Sequence, residues 1–174
     1  MSILKVARMG HPVLRQATPL VDPSEISKPE FQRLIDNMFD TMLEYEGIGL
    51  AAPQVHEGIR MFVAGVAGPD TVLSPIVIIN PEIEPIGTRI DEDWEGCLSI
   101  PDVRGRVPRA AEIRVRALDR TGRQQTMTAN GFPARVMQHE TDHLDGVLFL
   151  DRMKSFESLT FIEEYGRYWE KSES

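Results

Sequence analysis

The strongest constraint on this chain is a pair of histidines four residues apart, His139 and His143, in the segment QHETDHL. The spacing of apolar residues around them predicts a helix over about residues 133–146, which begins at a proline and ends at a glycine. Residues four apart on a helix project from one face, so both imidazoles can reach a single ion. The pattern therefore predicts a helix that carries a metal site, with Glu140 beside the two ligands.

The same helix has a second interpretation, in which both histidines are held by hydrogen bonds inside the core. We disfavour it because two histidines and a glutamate on an otherwise apolar helix are costly to bury without a partner. The other two histidines of the chain are His11, which precedes a proline, and His56, which lies in a polar turn. We expect both of these to lie at the surface.

A tetrahedral ion held by two histidines needs a third protein ligand and keeps one position open for water. Cys97, the only cysteine, is the candidate, and it lies in EGCLS, an irregular stretch that a strand or loop could present to the helix. A single cysteine taken alone is more often a small buried apolar residue. One cysteine also excludes an intramolecular disulfide framework and a four-thiolate zinc site.

The size and charge of the chain limit the classes of protein to which it can belong. With 174 residues, 41% of them hydrophobic, we expect one domain spanning residues 1–174 that folds without a disulfide. The longest apolar stretch, residues 61–68, is far shorter than the roughly 20 residues of a membrane span, and the first residues lack the apolar core of a signal peptide. A net charge of −8 argues against nucleic acid as the main ligand. We therefore expect a cytoplasmic protein without a membrane segment.

Helices and strands are interleaved without regular alternation, which favours an α+β fold. Ser27 and Glu30 form a capping-box pattern before a helix over about residues 28–46, and the glycine-rich GIGLAAP that follows is predicted to be a loop packed on the core. The predicted strands cover residues 61–66, 75–80 and 112–118. A third, amphipathic helix is predicted over about residues 156–171.

Three separated motifs, GIGLAAPQ, EGCLS and QHETDHL, together with MGHPVLR near the start and GVLFLDR after the last motif, make the chain similar to the peptide deformylases. The resemblance extends from about residue 4 to residue 153. It implies small sheets around the helix that bears the two histidines, and one divalent metal ion held by Cys97, His139 and His143. The ion is usually iron(II), Fe²⁺, for which Zn²⁺, Ni²⁺ or Co²⁺ can substitute. The implied activity is hydrolysis of the formyl group from formyl-methionyl peptides.

The resemblance also assigns roles to four further residues. It implies that Glu140 is the general base and then the general acid, as its position beside the ligands suits. The side-chain amide of Gln54 and the backbone N–H of Leu98 would stabilise negative charge on the former carbonyl oxygen. Gly49 would let the loop backbone approach the substrate peptide. Asp142, one residue before His143, is either a hydrogen-bond partner for a ligand histidine or an acid on the helix surface.

The resemblance places the pocket for the methionine side chain around Ile48, Glu95, Phe132, Arg135, Val136 and His139. Asp93 is expected near its rim. Asp93, Trp94 and Arg135 are more polar or larger than the aliphatic lining typical of the family, so the preference of this pocket is where the chain is expected to differ.

Two other function classes remain open on the sequence. A zinc peptidase with the same helix would normally take a His or Glu as its third ligand, and a structural metal protein would need a fourth Cys or His. Residues 151–174 carry a net charge of −2, so docking on ribosomal RNA is not expected, and Phe156, Leu159, Ile162, Tyr165 and Trp169 are predicted to pack their helix on the body. We expect a monomer whose partner is the formyl-methionyl peptide.

Overall fold

The computed structural model describes residues 2–65 and 74–170. Its helices are α1 (Pro23–Ile26), α2 (Pro29–Glu44), α3 (Gly131–Leu144), α4 (Phe149–Arg152) and α5 (Ile162–Tyr168), with short 3₁₀ turns at Pro12–Arg15, Ala52–Val55 and Phe156–Ser158. Its strands are β1 (Gly49–Ala51), β2 (Met61–Ala64), β3 (Ile76–Pro85), β4 (Ile90–Cys97), β5 (Ile100–Ala110), β6 (Glu112–Leu118), β7 (Gln124–Asn130) and β8 (Thr160–Phe161). The fold is α+β, as predicted. Within the described ranges, no helix combines the length and apolar character that crossing a membrane requires.

Two antiparallel sheets form the frame of the molecule. The larger has the strand order β1-β2-β3-β6-β7, and the smaller has the order β4-β5-β8. On β6 the buried residues alternate with exposed or partly exposed ones, which is the pattern of a strand that covers a core on one face. The predicted strand at 112–118 therefore matches β6 in both its bounds and its exposure.

Helix α3 lies between the two sheets. It contacts β1, β2, β6 and β7 of the larger sheet and β5 of the smaller one. Nine of its 14 residues are buried, including charged and polar ones, whereas a surface helix would bury a single stripe. Its start and end differ by two residues each from the predicted 133–146.

Helix α2 covers the other side of the larger sheet. Phe31, Ile35, Met38 and Met42 recur at helical spacing and join one core cluster with residues of β1, β2 and β3. The predicted capping box is wrong. Ser27 is the C-cap residue of α1 and has a helical conformation, so it is not free to cap α2. Lys28 occupies the N-cap position of α2, and its side chain does not cap the helix but pairs with Glu25.

The smaller sheet, and strand β7 of the larger sheet, were missed by the sequence analysis. Strand β4 reads IDEDWEGC and β7 reads QQTMTAN, and neither shows the apolar alternation by which strands are recognised. Strand β3 continues five residues beyond the predicted 75–80, and β2 ends at Ala64, with the predicted residue 66 outside the described part of the chain. The GIGLAAP segment, predicted as a loop, contains the three residues of β1.

The predicted helix at 156–171 is wrong in its first half, and residue 171 lies outside the described chain. Thr160 and Phe161 pair with Arg104 and Val103 of β5, so this segment is extended and the helix begins only at Ile162. Phe156 is 68% exposed and does not pack on the body as expected. Tyr165 and Trp169, which belong to the same sequence pattern, do contact the body through Trp94.

Two adjacent residues of α2 allow a test of how much the buried face of this helix contributes to stability. Met42 is 1% exposed and Leu43 is 66% exposed. We expect Met42→Ala to lower the free energy of unfolding by about 2–5 kcal/mol, because it leaves a cavity in the core. Leu43→Ala should change it by less than about 0.5 kcal/mol. Urea unfolding of both variants measures the difference, and equal losses would contradict the packing described here.

Candidate active site

Three metal-ligating side chains converge where β4 ends against α3. Cys97 is the last residue of β4, and His139 and His143 lie one turn apart on α3. One ligand atom from each lies within 4.8 Å of the others, and Cys97 Sγ is 3.3 Å from His143 Nε2. A tetrahedral ion with ordinary zinc bond lengths would separate a sulfur and a nitrogen ligand by about 3.5 Å. The three residues therefore fit one divalent metal ion.

The charge of the Cys97 side chain also suits a cation. Burial raises the pKa of the Cys97 thiol, but the adjacent His143 and His139 outweigh burial and hold this pKa well below its ordinary value. Burial lowers the pKa of His139, but its hydrogen bonds to Cys97 and Glu95 raise it well above the ordinary value. A thiolate is the form of cysteine that binds metals, so the site presents the correct donor.

Glu95 orients one of the ligands. Its carboxylate lies 2.9 Å from His139 Nδ1, which leaves Nε2 of that ring free to face the site. The same carboxylate accepts hydrogen bonds from Arg109 at 2.8 and 3.0 Å and from Arg135 at 2.8 Å. Burial raises the pKa of Glu95, but Arg109 and His139 more than compensate and bring it to about 2. Sequence reasoning placed Glu95 only in the methionine pocket and did not identify Arg109.

Asp142 does not serve either ligand histidine. Its carboxylate pairs with Arg109 at 2.5 Å and with Arg152 at 2.7 Å. Adjacent residues on a helix point about 100° apart, so Asp142 projects away from the face that carries His143. Both earlier interpretations of Asp142 are therefore wrong, since it is 7% exposed and belongs to a buried ion-pair network.

Glu140 lies beside the three ligands and is 4% exposed. Burial raises the pKa of its carboxyl group more than His139 and His143 lower it. Its Oε2 atom and Nδ1 of His143 are the buried side-chain atoms without a hydrogen-bond partner in the described part of the chain. A Cβ atom added at Gly49 would lie 2.7 Å from Cδ of Glu140, so only glycine fits at this point of β1.

Gln54 is held in one orientation at the edge of the site. Its Oε1 atom accepts a hydrogen bond from the backbone N–H of Ala51 at 2.8 Å. Its amide NH₂ group therefore points towards the centre, where it donates to Ser99 Oγ at 3.2 Å and to Cys97 Sγ at 3.5 Å. Leu98, which the sequence analysis paired with Gln54, directly follows Cys97 and is partly buried. No sequence pattern pointed to Ser99.

An open cleft of about 660 Å³ leads to these residues, a size typical of sites for small ligands. Its walls include all six residues that the sequence analysis placed around the methionine pocket, and also Gly49, Gln54, Cys97, Leu98 and Glu140. Asp93, expected near the rim, is not among the lining residues. His11 and His56 are exposed, and their rings contact each other at 4.7 Å, outside this cleft.

Arg135, which is more polar than the lining typical of the family, has its charge paired with other groups of the protein. Its guanidinium group donates to Glu95 at 2.8 Å and to the backbone carbonyls of Val107 at 2.7 Å and Asp91 at 2.8 Å. The guanidinium charge is therefore paired inside the protein, where Arg135 is only 6% exposed. The aliphatic part of the side chain is left as its contribution to the cleft wall.

Comparison with known proteins identifies a family whose members resemble this chain over most of its length. The model of the polypeptide deformylase family matches residues 3–158. Peptide deformylase 2 of Nostoc sp. is 42% identical over 169 residues, which cover 94% of this chain and 93% of that protein. The crystal structure of the Acinetobacter baumannii class I type b peptide deformylase bound to Met-Ala-Ser has a TM-score of 0.83, 37% identity, and coverage of 87% of this chain and 99% of that chain. The peptide deformylase structure from Thermotoga maritima has a TM-score of 0.80, 36% identity, and coverage of 89% and 100%.

The buried ion pairs around Glu95 lead to a stability prediction. Arg109→Gln removes a cation that both Glu95 and Asp142 contact, and we expect it to cost about 3 kcal/mol of unfolding free energy, because buried carboxylates lose a partner. Arg116→Gln is the matched control, since Arg116 is half exposed and pairs with the exposed Glu84. It should cost no more than about 1 kcal/mol. Urea unfolding measures both, and a similar small loss in each variant would refute the structural role of Arg109.

Proposed function

Since the chain belongs to the polypeptide deformylase family of enzymes, we propose that it hydrolyses the formyl group from the methionyl end of newly made polypeptides and releases formate. Within this family the proposal depends on one observation: Cys97, His139 and His143 meet beside the carboxyl group of Glu140 in an open cleft. Relatives over most of the chain are named peptide deformylases, and one of them binds the tripeptide Met-Ala-Ser. That tripeptide is what remains when formyl-Met-Ala-Ser is deformylated.

Peptide deformylases are metalloenzymes, and the three ligands of this chain would hold one ion. When bound, the ion would lower the pKa of a water molecule so that it can attack at neutral pH. We propose iron(II) as the native ion on the basis of the family resemblance, with Zn²⁺, Ni²⁺ or Co²⁺ as substitutes. The mixed thiolate and imidazole donor set supports a first-row transition metal over Mg²⁺ or Ca²⁺, which prefer oxygen ligands.

Glu140 is the group that moves the proton. Its carboxylate accepts a proton from the attacking water and gives it to the amine nitrogen as the C–N bond breaks. The products are formate and a peptide with a free methionyl amine. Burial favours this role, because it raises the pKa of Glu140 from the acidic range towards the pH at which one group can both accept and donate.

Gln54 and Leu98 are proposed to stabilise the charge that develops on the formyl oxygen. The amide NH₂ group of Gln54 already points to the centre because Ala51 holds its oxygen, so little reorganisation is needed during the reaction. The backbone N–H of Leu98 would supply the second donor. The loss of one such donor typically costs about 10²–10³ in turnover.

The cleft wall is proposed to bind the methionine side chain. Ile48, Phe132 and Val136 supply apolar surface, and Arg135 adds its aliphatic stem because its charge is paired elsewhere. Gly49 would allow the backbone of β1 to bind the substrate peptide in an extended form. We propose that the whole chain works as one monomeric catalytic domain in the cytoplasm, and its net charge of −8 supports action on peptides without direct binding of nucleic acid.

A zinc peptidase is the alternative that shares the two-histidine helix. The thiolate third ligand argues against it, since such peptidases take His or Glu at that position. A purely structural metal would need a fourth protein ligand, and within the described residues the group that could hold an ion consists of Cys97, His139 and His143. The deformylase mechanism uses these three ligands together with Glu140 and Gln54.

The proposed reaction is tested with formyl-Met-Ala-Ser and unformylated Met-Ala-Ser, using metal-loaded protein purified under nitrogen. We expect formate release from the first peptide and no cleavage of either peptide chain. Glu140→Gln should retain the metal and lose at least about a hundredfold in turnover, because the amide keeps the shape but cannot accept a proton. Glu30→Gln, at an exposed position, is the control. Cleavage of a peptide bond, or turnover by Glu140→Gln within tenfold of the unchanged protein, would contradict the mechanism.

The ligand set is tested by elemental analysis. Cys97→Ala and His143→Ala each remove one of three protein ligands, so we expect both folded variants to lose tightly bound metal. His56→Ala removes an exposed histidine outside the site and should keep one ion per chain. The unchanged protein, prepared without oxygen, identifies the metal itself. If either ligand variant kept a full equivalent of metal, the assigned set would be wrong.

A further inference from the structure

The turn between β4 and β5 consists of two residues, Leu98 and Ser99. Cys97 and Ile100 are paired across this turn, so the ligand Cys97 ends one strand and Ile100 begins the next. Ser99 is 0% exposed, whereas residues of connecting segments usually lie at the surface. A buried hydroxyl group is unfavourable unless it forms hydrogen bonds, so the contacts of Ser99 indicate why a serine lies at this position.

The hydroxyl group of Ser99 contacts the side chain of Gln54. Its Oγ atom lies 3.2 Å from Nε2 of Gln54 and accepts a hydrogen bond from that amide. Gln54 is buried as well, and its Oε1 atom accepts a hydrogen bond from the backbone N–H of Ala51 at 2.8 Å. The amide is therefore bound at its oxygen by Ala51 and at its nitrogen by Ser99, which fixes both its position and its plane.

The backbones of Gln54 and Ser99 are held by the same stretch of chain near the N-terminus. The N–H of Ala7 donates to the carbonyl oxygen of Gln54 at 2.7 Å, and the N–H of Met9 donates to the carbonyl oxygen of Ser99 at 2.8 Å. Ala7 and Met9 are two residues apart, so their separation is at most about 7 Å. Backbone and side-chain contacts together therefore fix Gln54 and Ser99 relative to each other, although 45 positions separate them in the sequence.

The contact with Ser99 determines which N–H of Gln54 is left for the reaction. An amide NH₂ group has two hydrogens, which point in different directions within the amide plane. Ser99 Oγ accepts one of them, and Sγ of Cys97, at 3.5 Å, is the acceptor for the other. Sulfur is a weak acceptor, and Cys97 is one of the three residues that could hold the ion. The second N–H is thus directed at the ligand group, where a formyl oxygen would compete with sulfur for it.

We propose that Ser99 is a positioning residue for deformylation, which binds one N–H of Gln54 and thereby directs the other N–H at the formyl oxygen. The inference rests on the deformylase activity proposed above. A hydrogen-bond donor stabilises a transition state most when it is oriented before the charge develops. Because the charge on the formyl oxygen develops only in the transition state, the loss of Ser99 should lower kcat and leave KM nearly unchanged.

A double-mutant cycle with formyl-Met-Ala-Ser as substrate tests whether Ser99 acts through Gln54. We expect Ser99→Ala to lower kcat about tenfold, less than the loss of the donor itself, with KM within about twofold of the unchanged protein. When Gln54→Ala is already present, Ser99→Ala should cause less than about a twofold further loss, because no amide is left to orient. Ser158→Ala is the matched control and should leave kcat unchanged. Ser158 Oγ also accepts a hydrogen bond from an N–H, that of Arg106 at 3.0 Å, but Ser158 is not among the residues that line the cleft.

The side-chain amide of Gln54 gives a second readout that does not depend on activity. In proton–nitrogen NMR spectra of the zinc-loaded protein, the NH₂ signal pair that disappears in Gln54→Ala belongs to this residue. We expect Ser99→Ala to shift this pair, because one of its hydrogens loses its acceptor, and Ser158→Ala to leave it in place. Elemental analysis should find the same metal content in Ser99→Ala as in the unchanged protein.

Several results would overturn the inference and leave the deformylase activity in place. These are an unchanged kcat in Ser99→Ala, an equal loss of kcat with and without Gln54→Ala, and an unshifted Gln54 signal pair. A loss of metal from Ser99→Ala would also overturn it, since Ser99 would then serve the ligand turn and not Gln54. If the unchanged protein released no formate, the proposed function would fail and the inference with it.

Discussion

The carboxylate of Glu95 is the contact on which the rest of the site depends. It binds Nδ1 of His139 on α3, the guanidinium of Arg109 on β5 and that of Arg135, also on α3. Glu95 precedes Cys97 by two residues on β4, so one strand supplies a ligand and also orients another ligand. A buried carboxylate is tolerable here because two cations offset the cost of removing it from water. The ion pairs thus join the smaller sheet to α3 at the point where the ligands meet.

The position of α3 between two sheets explains why its polar residues are buried. A helix covered on both sides excludes water from His139, His143 and Glu140, and low solvent access strengthens every charge interaction at the site. The cost is visible, among the residues that the structure describes, in two buried side-chain atoms without hydrogen-bond partners, Glu140 Oε2 and His143 Nδ1. Such unsatisfied groups are unfavourable for stability and are typical of sites that bind or react. The position of Glu140 also requires a glycine at residue 49, because a side chain there would collide with Glu140.

The sequence predicted the features that depend on local pattern. Helical spacing located α2 and α3, alternation located β6, and the spacing of His139 and His143 located the ligand face. Strand β4 was missed because half of its residues are acidic, and β5 was missed because two prolines and a glycine interrupt its pattern of apolar residues. Arg109 was missed because it lies 14 residues from Glu95, and only the pairing of β4 with β5 brings the two together. Asp142 was misassigned because neighbouring residues of a helix point in different directions. Its place next to His143 in the sequence therefore does not put it on the face that carries the ligands.

Two residues expected to make this chain differ from its family have their side chains occupied inside the protein. Arg135 carries a charge into the wall of the cleft, yet its guanidinium group is paired with Glu95 and backbone carbonyls. Trp94 is bulky, yet most of its surface is covered, and its ring contacts those of Tyr165 and Trp169. Neither departure therefore alters the polarity of the inner pocket. Trp94 instead packs under helix α5, whose first residue, Ile162, lies in the outer wall of the cleft.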